Sequence, residues 1–208
     1  ARAGDPFALV AHSYGAAVAL IAALAKPQRV RALALYEPTL FGLLDAESPP
    51  PNAADGIRGA LARAVAALCE GDPVAAAECF IDFWSGPGAW ARTPDSRKES
   101  IVASVAHIRD WGNALFAEPT PLSAFAELDV PVLYMIGRDS PASSLGVARL
   151  LTRVLPRAEV VEFEGLGHMG PVTHPGTVNQ AISRFLERLR PSRHSLPEGD
   201  KHVSRIEA

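Results

Sequence analysis

The 208-residue sequence predicts an α/β fold, a parallel sheet with crossover helices interrupted by an all-helical insertion. Three observations carry this expectation. The chain opens strand, helix, strand with tight connections, the pattern of parallel strands joined by a crossover helix. From Phe41 to about Leu128 helical patterns follow one another without a strand between them. Alternation then resumes at Val130 and continues to the last helix.

Each element has its own signal. The run "FALVA" reads as a strand over Ala8–Ala11, and Tyr14 to Ala25 as a helix that ends before Pro27. "VRALALY", Val30 to Tyr36, is a second β-type run. "LDAESPPPNAADG" is a Pro- and Ala-rich loop, after which a helix over Ile57–Cys69 stops at Gly71. A helix over Pro73–Trp84 has Asp72 as its N-cap and Pro at the first position. Residues 94–116 carry Ile101, Val105, Ile108, Trp111 and Leu115 at three- and four-residue spacings, which predicts one further helix. "VPVLYMI" (Val130 to Ile136) is a strand, 144–155 a helix, "EVVEF" (Glu159 to Phe163) the last strand and 175–189 the final helix. The polar remainder lacks apolar periodicity and is expected to be disordered. The expected division is therefore a core over 1–41, a helical insertion over 42–128, a returning core over 129–190 and a tail over 191–208.

Composition narrows the function classes. With 48% hydrophobic and 21% charged residues the chain can bury a sizeable core. No apolar run approaches the roughly 20 residues of a membrane span, so neither a membrane location nor export is expected. Twenty Lys and Arg stand against 23 Asp and Glu, interspersed apart from a modest basic cluster at Arg188, Arg190 and Arg193, which argues against a nucleic-acid partner. The two cysteines, Cys69 and Cys79, have no metal-ligand spacing and read as free thiols in a reducing, cytoplasmic compartment. No cofactor or metal is expected. Oligomeric state is not encoded in any of these signals.

The chemistry sits in "FALVAHSYGAAVAL". A strand ending in Ala11-His12-Ser13-Tyr14-Gly15 and turning straight into a helix matches G-x-S-x-G, with Ala11 in place of the first glycine. Small flanking residues suit a turn so sharp that neighbouring Cβ atoms would crowd. A serine hydroxyl needs a base, and Gly167-His168-Met169 follows the last strand. With these pieces in this order the sequence resembles the capped bacterial α/β-hydrolases over nearly its whole length. That group includes esterases, carbon–carbon bond hydrolases, dehalogenases and cofactor-free haloperoxidases; a serine at position 13 argues against the dehalogenases, which use aspartate there.

The resemblance implies Ser13 as nucleophile, His168 as general base and the Tyr14 backbone N–H as oxyanion donor. A carboxylate must orient the imidazole. In most relatives it lies three positions after the glycine of the "GRDSP" loop, where this sequence has Ser140; Asp139 comes one residue early. The alternative is Glu37 in "LYEPTLF", at the tip of the strand after the elbow helix. Both remain candidates. His12, His107, His174, His194 and His202 read as structural or solvated.

The insertion concentrates Phe80, Phe83, Trp84, Trp90, Trp111 and Phe116, which predicts an apolar, partly aromatic pocket for a small-molecule substrate, with Trp84, Trp90 and Trp111 as contacts. "WSGPGAW" reads as a hinge or lid. Relatives place several strands and a second oxyanion donor before the elbow, whereas this sequence opens "ARAGDPFALV" without an initiator Met, so it is expected to be the C-terminal part of such a fold. Loss of one such donor costs about 10²–10³ in turnover. The expected activity is ester or thioester hydrolysis through an acyl-serine, with carbon–carbon hydrolysis or haloperoxidase-like chemistry as alternatives. A non-catalytic binding protein or inert fragment is the competing class.

Overall fold

In the computed structural model, which describes residues 6–189, four parallel strands lie side by side in chain order: β1 (Phe7–His12), β2 (Val30–Tyr36), β3 (Val132–Gly137) and β4 (Ala158–Phe163). Helix α1 (Tyr14–Ala25) connects β1 to β2. Six helices intervene between β2 and β3: α2 (Gly42–Glu47), α3 (Asp55–Cys69), α4 (Pro73–Ser85), α5 (Ala89–Arg92), α6 (Asp95–Val105) and α7 (Ile108–Phe116). A 3-10 run, Leu122–Glu127, leads into β3. Helix α8 (Ala142–Val154) connects β3 to β4, and the short α9 (Gly170–Thr173) and α10 (Pro175–Arg188) follow.

The sheet is covered on both faces. Leu33 and Leu35 of β2 and Val132, Tyr134 and Ile136 of β3 pack into one core with α1 and α8, and Ala32, Ala34, Tyr36, Leu133 and Met135 into another with Val178 and Phe185 of α10. Strands buried on both sides read as unbroken apolar runs, which is why "VRALALY" and "VPVLYMI" show little alternation. Each fully buried Leu or Ile there stabilises the fold by about 1.5–3 kcal/mol.

The segment between β2 and β3 contains no strand, and a third cluster holds its helices together through Ala64, Ala76, Ala77, Trp90, Val105 and Ile108. Its first part does not stand apart from the sheet: Leu43, Leu44, Ala54, Ile57 and Trp84 belong to the core that includes Leu33 and Tyr134. Helix α4 starts as its sequence dictates, with Asp72 Oδ1 accepting from the Ala75 N–H at 2.9 Å and Pro73 at the first position.

One sequence expectation changes here. The single helix over 94–116 is two, α6 and α7, separated at Ala106 and His107. The Ser104 hydroxyl bonds back to the Ser100 carbonyl at 2.8 Å, an arrangement that bends helices, and the break allows both Val105 and Ile108 to be buried. Within the "WSGPGAW" segment the Gly88 and Trp90 N–H groups donate to Asp82, both at 2.8 Å. The expected tail over 191–208 lies outside the described residues. Among the described residues no helix is long and apolar enough to cross a membrane, and Cys69 and Cys79 are free thiols.

Gly137, the last residue of β3, sets the distance between the sheet and the loop after β4. A Cβ at this position would lie 2.4 Å from the Leu166 carbonyl oxygen and 2.8 Å from that of Gly167. Gly137→Ala is therefore expected to destabilise the protein by about 1–3 kcal/mol through overpacking, read as a lower urea midpoint. Because the displaced loop carries His168, the same variant should lose about 10²-fold in kcat.

Candidate active site

The site is assembled at the carboxyl ends of β1, β2 and β3. The β1–β2 register pairs His12 with Tyr36, so Ser13 and Glu37 leave neighbouring strands at the same level. The ladder runs one step further, with the Ser13 N–H donating to the Tyr36 carbonyl (2.9 Å) and the Glu37 N–H to that of Met135 (3.1 Å). Both residues then turn through positive φ, 56° at Ser13 and 46° at Glu37. A non-glycine residue in such a conformation costs about 1–3 kcal/mol and persists only where its surroundings enforce it.

Three side chains form one hydrogen-bonded line. Ser13 Oγ lies 2.9 Å from His168 Nε2, and His168 Nδ1 lies 2.7 Å from Glu37 Oε2. His168 and Glu37 are buried, at 2% and 0% exposure, so no solvent competes for this geometry. The other carboxyl oxygen, Glu37 Oε1, accepts from the Gly137 N–H at 2.7 Å and the Ser140 hydroxyl at 2.6 Å. A buried carboxylate with three donors is compensated for its lost hydration, and its orientation is fixed. Ser13 can thus pass its proton to Nε2 while Nδ1–H stays bound to Glu37.

The loop bearing His168 is held by two side chains from the strands. The Tyr36 hydroxyl donates to the Gly167 carbonyl at 2.8 Å, and His12 Nε2–H donates to the His168 carbonyl at 2.8 Å. Burial, and secondarily the negative charge of Glu37, pushes the Tyr36 phenol well above its ordinary range, which keeps it a donor. Tyr134 is raised for the same two reasons. His12 is pushed down to about 4, by burial first and then by neighbouring His168, against the opposing effects of its backbone bond and Glu37.

This depression makes His12 an acid-sensitive point. Its folded value lies below the unfolded value of 6.5, so the native state resists its protonation; the resulting stability is fully present above pH 6.5 and lost as pH falls towards 4. Between pH 6.5 and 5 the expected loss is about 2 kcal/mol. Urea unfolding at the two pH values should show it, and His12→Gln should flatten the dependence.

Above the line lies a small cavity of about 60 Å³, walled by Ser13, Thr39, Phe41, Phe80, Trp84 and Trp111 among others. Tyr14 also lines it, and its backbone N–H is the first of α1, without an acceptor inside the helix. Trp84 also packs on the histidine: its ring centroid lies 3.9 Å from that of His168, tilted by 30°.

The structure brings Ser13, His168, Glu37, Tyr14, Trp84 and Trp111 together and leaves two expected residues outside. Asp139 is exposed; its backbone N–H bonds the Leu166 carbonyl, and no bond joins its carboxylate to His168, because the "GRDSP" turn directs Ser140 inward instead. Trp90 packs with Ala64, Ala76 and Val105 under Lys98, away from Ser13. The steric reason for small residues around the elbow does not hold at Gly15, where an added Cβ would meet nothing within 4 Å outside its own helix. Sequence reasoning missed the two loop clamps and the Ser140 bond. The His12–Tyr36 register was the available signal for the clamps, since it places both rings beneath the loop after β4. His107 and His174 are exposed, and among the described residues no group of three or more His, Cys, Asp and Glu is placed to hold a metal ion.

A parallel sheet with crossover helices, carrying a serine in a strained strand-to-helix turn and bonded to a histidine on a late loop, defines an α/β-hydrolase type of protein. The chain belongs to the alpha/beta hydrolase fold family, whose model matches residues 4–175. Comparison with curated protein sequences finds no match. Among solved structures the chain is similar to an alpha/beta hydrolase from Sphaerobacter thermophilus (26% identity, TM-score 0.61), covering 88% of this chain and 68% of that one. It also resembles a 2-hydroxy-6-oxo-6-phenylhexa-2,4-dienoate hydrolase from Rhodococcus (20%, 0.63), with 88% and 64% covered. A third is an N-acyl homoserine lactone degrading enzyme (20%, 0.62), with 87% and 68% covered. The chain thus spans about two thirds of the length of these structures.

Proposed function

We propose that the protein is a cytoplasmic serine hydrolase that cleaves carboxylic esters or thioesters of small, mainly apolar acids through an acyl-serine intermediate. The observation that carries this reading is the unbroken Ser13–His168–Glu37 line opening into a carbon-walled cavity. His168 Nε2 takes the Ser13 proton as Oγ attacks the carbonyl carbon, and the Tyr14 N–H, with the α1 terminus behind it, stabilises the oxyanion. His168, now cationic between Glu37 and Trp84, returns the proton to the departing alcohol or thiol. Water, deprotonated by His168, then attacks the acyl-serine; Ser13 recovers its proton and the acid leaves. No step calls for a metal or cofactor.

A panel of p-nitrophenyl esters from acetate to decanoate tests the reading, together with labelling by a fluorophosphonate. Turnover is expected to peak at the short esters, because the cavity over Ser13 is small, and the label to attach at Ser13. Absence of both hydrolysis and labelling would rule the proposal out.

A further inference from the structure

The acyl cavity has one polar oddity. Thr39, which lines it beside Ser13, is 1% exposed, and its Oγ1 has no hydrogen-bond partner. The surrounding wall is carbon: Phe41, Ile57, Phe80 and Leu115. Among the described residues the other buried polar side-chain atoms without a partner belong to Arg58, Tyr134 and Ser143, and none of these residues lines this cavity. A valine would fill the same shape without a hydroxyl, so Thr39 supplies a hydrogen-bonding group that no neighbouring protein atom engages.

We infer that Thr39 selects acyl groups bearing an oxygen substituent close to the scissile carbonyl, that is, short 2- or 3-hydroxy or oxo acids. The inference rests on the acyl-serine reading and names its substrate class. Shared walls place the oxygen: Ser13 and Thr39 line the same small cavity, so an acyl group on Ser13 meets the Thr39 hydroxyl close to its carbonyl. An oxygen placed there lies on the second or third carbon. A plain butyryl chain of equal length leaves the Thr39 hydroxyl unpaired, and a site built to pair a substrate oxygen rejects the analogue lacking it.

The test separates binding from catalysis. In Ser13→Ala protein, NMR titration with 3-hydroxybutyramide and lactamide should show about tenfold tighter binding than with butyramide and propanamide. Thr39→Val should erase that preference and Thr39→Ser retain it. In the unmodified protein, kcat/KM for p-nitrophenyl 3-hydroxybutyrate should exceed that for the butyrate by a similar factor, and Thr39→Val should collapse the ratio while raising activity on the butyrate. Equal binding of the paired amides, no binding of any of them, or a preference that survives Thr39→Val overturns the inference. So does a Thr39→Val variant that loses kcat equally on both esters, which would make the hydroxyl an oxyanion donor. Fluorophosphonate labelling judges the hydrolase reading separately: label without selectivity sinks Thr39 alone, whereas selectivity without label upholds the pocket and sinks the hydrolase.

Discussion

Replacing Ser13 with alanine is expected to lower kcat for a short p-nitrophenyl ester by about 10⁶. The size of the effect follows from the line described above, because the variant removes the atom that forms the covalent bond and leaves His168 Nε2 without the hydroxyl 2.9 Å away. The fold is expected to survive, since Ser13 holds its place through backbone bonds, its N–H to Tyr36 and its carbonyl to Ala16 and Ala17. Alanine keeps the cost of φ 56°; glycine does not. Ser13→Gly should therefore unfold at a higher temperature than Ser13→Ala, by an amount equivalent to about 1 kcal/mol, while being equally inactive. A serine variant that retains turnover would show that hydrolysis happens elsewhere.

Glu37→Gln is expected to lower kcat by about 10⁴, and Asp139→Asn to leave it within about twofold. The amide keeps the size and most contacts of the acid, but it presents either an oxygen without charge or an NH₂ group to His168 Nδ1. Either choice disturbs the imidazole, by weakening its hold or by favouring the wrong tautomer. With the oxygen towards His168, the NH₂ group in turn faces the Gly137 N–H and the Ser140 hydroxyl, both of which donate to Oε1 in the unmodified protein. Asp139 faces solvent, and its neutralisation touches neither ring nitrogen. Steady-state kinetics on the two variants distinguish the acids directly; the opposite ranking would place the orienting carboxylate on the β3 loop.

The contrast between these two acids shows how far the sequence can be read. Elements were legible where pattern and punctuation agreed: the apolar runs bounded by tight turns gave all four strands, and Asp72-Pro73 gave the start of α4. Ser13 and His168 were legible because each lies next to an element boundary that the pattern fixes. The choice between Glu37 and Asp139 was not, since it depends on which way a loop side chain turns, and one residue reverses that direction. Register supplied what pattern could not, by setting Glu37 level with Ser13. The break between α6 and α7 was hidden because its apolar spacing continues unbroken from Ile101 to Leu115. Trp90 was misjudged for a related reason: an aromatic on a short helix can face a neighbouring helix or a ligand, and composition does not say which.

The contact between Trp84 and His168 gives the protein an internal optical reporter. Indole emission is quenched by a protonated imidazole in van der Waals range, and these rings lie 3.9 Å apart between centroids. With Trp90 and Trp111 changed to Phe, the remaining fluorophore should dim and brighten as the histidine gains and loses its proton. Stopped-flow emission could then follow proton movement during a single turnover without any added dye.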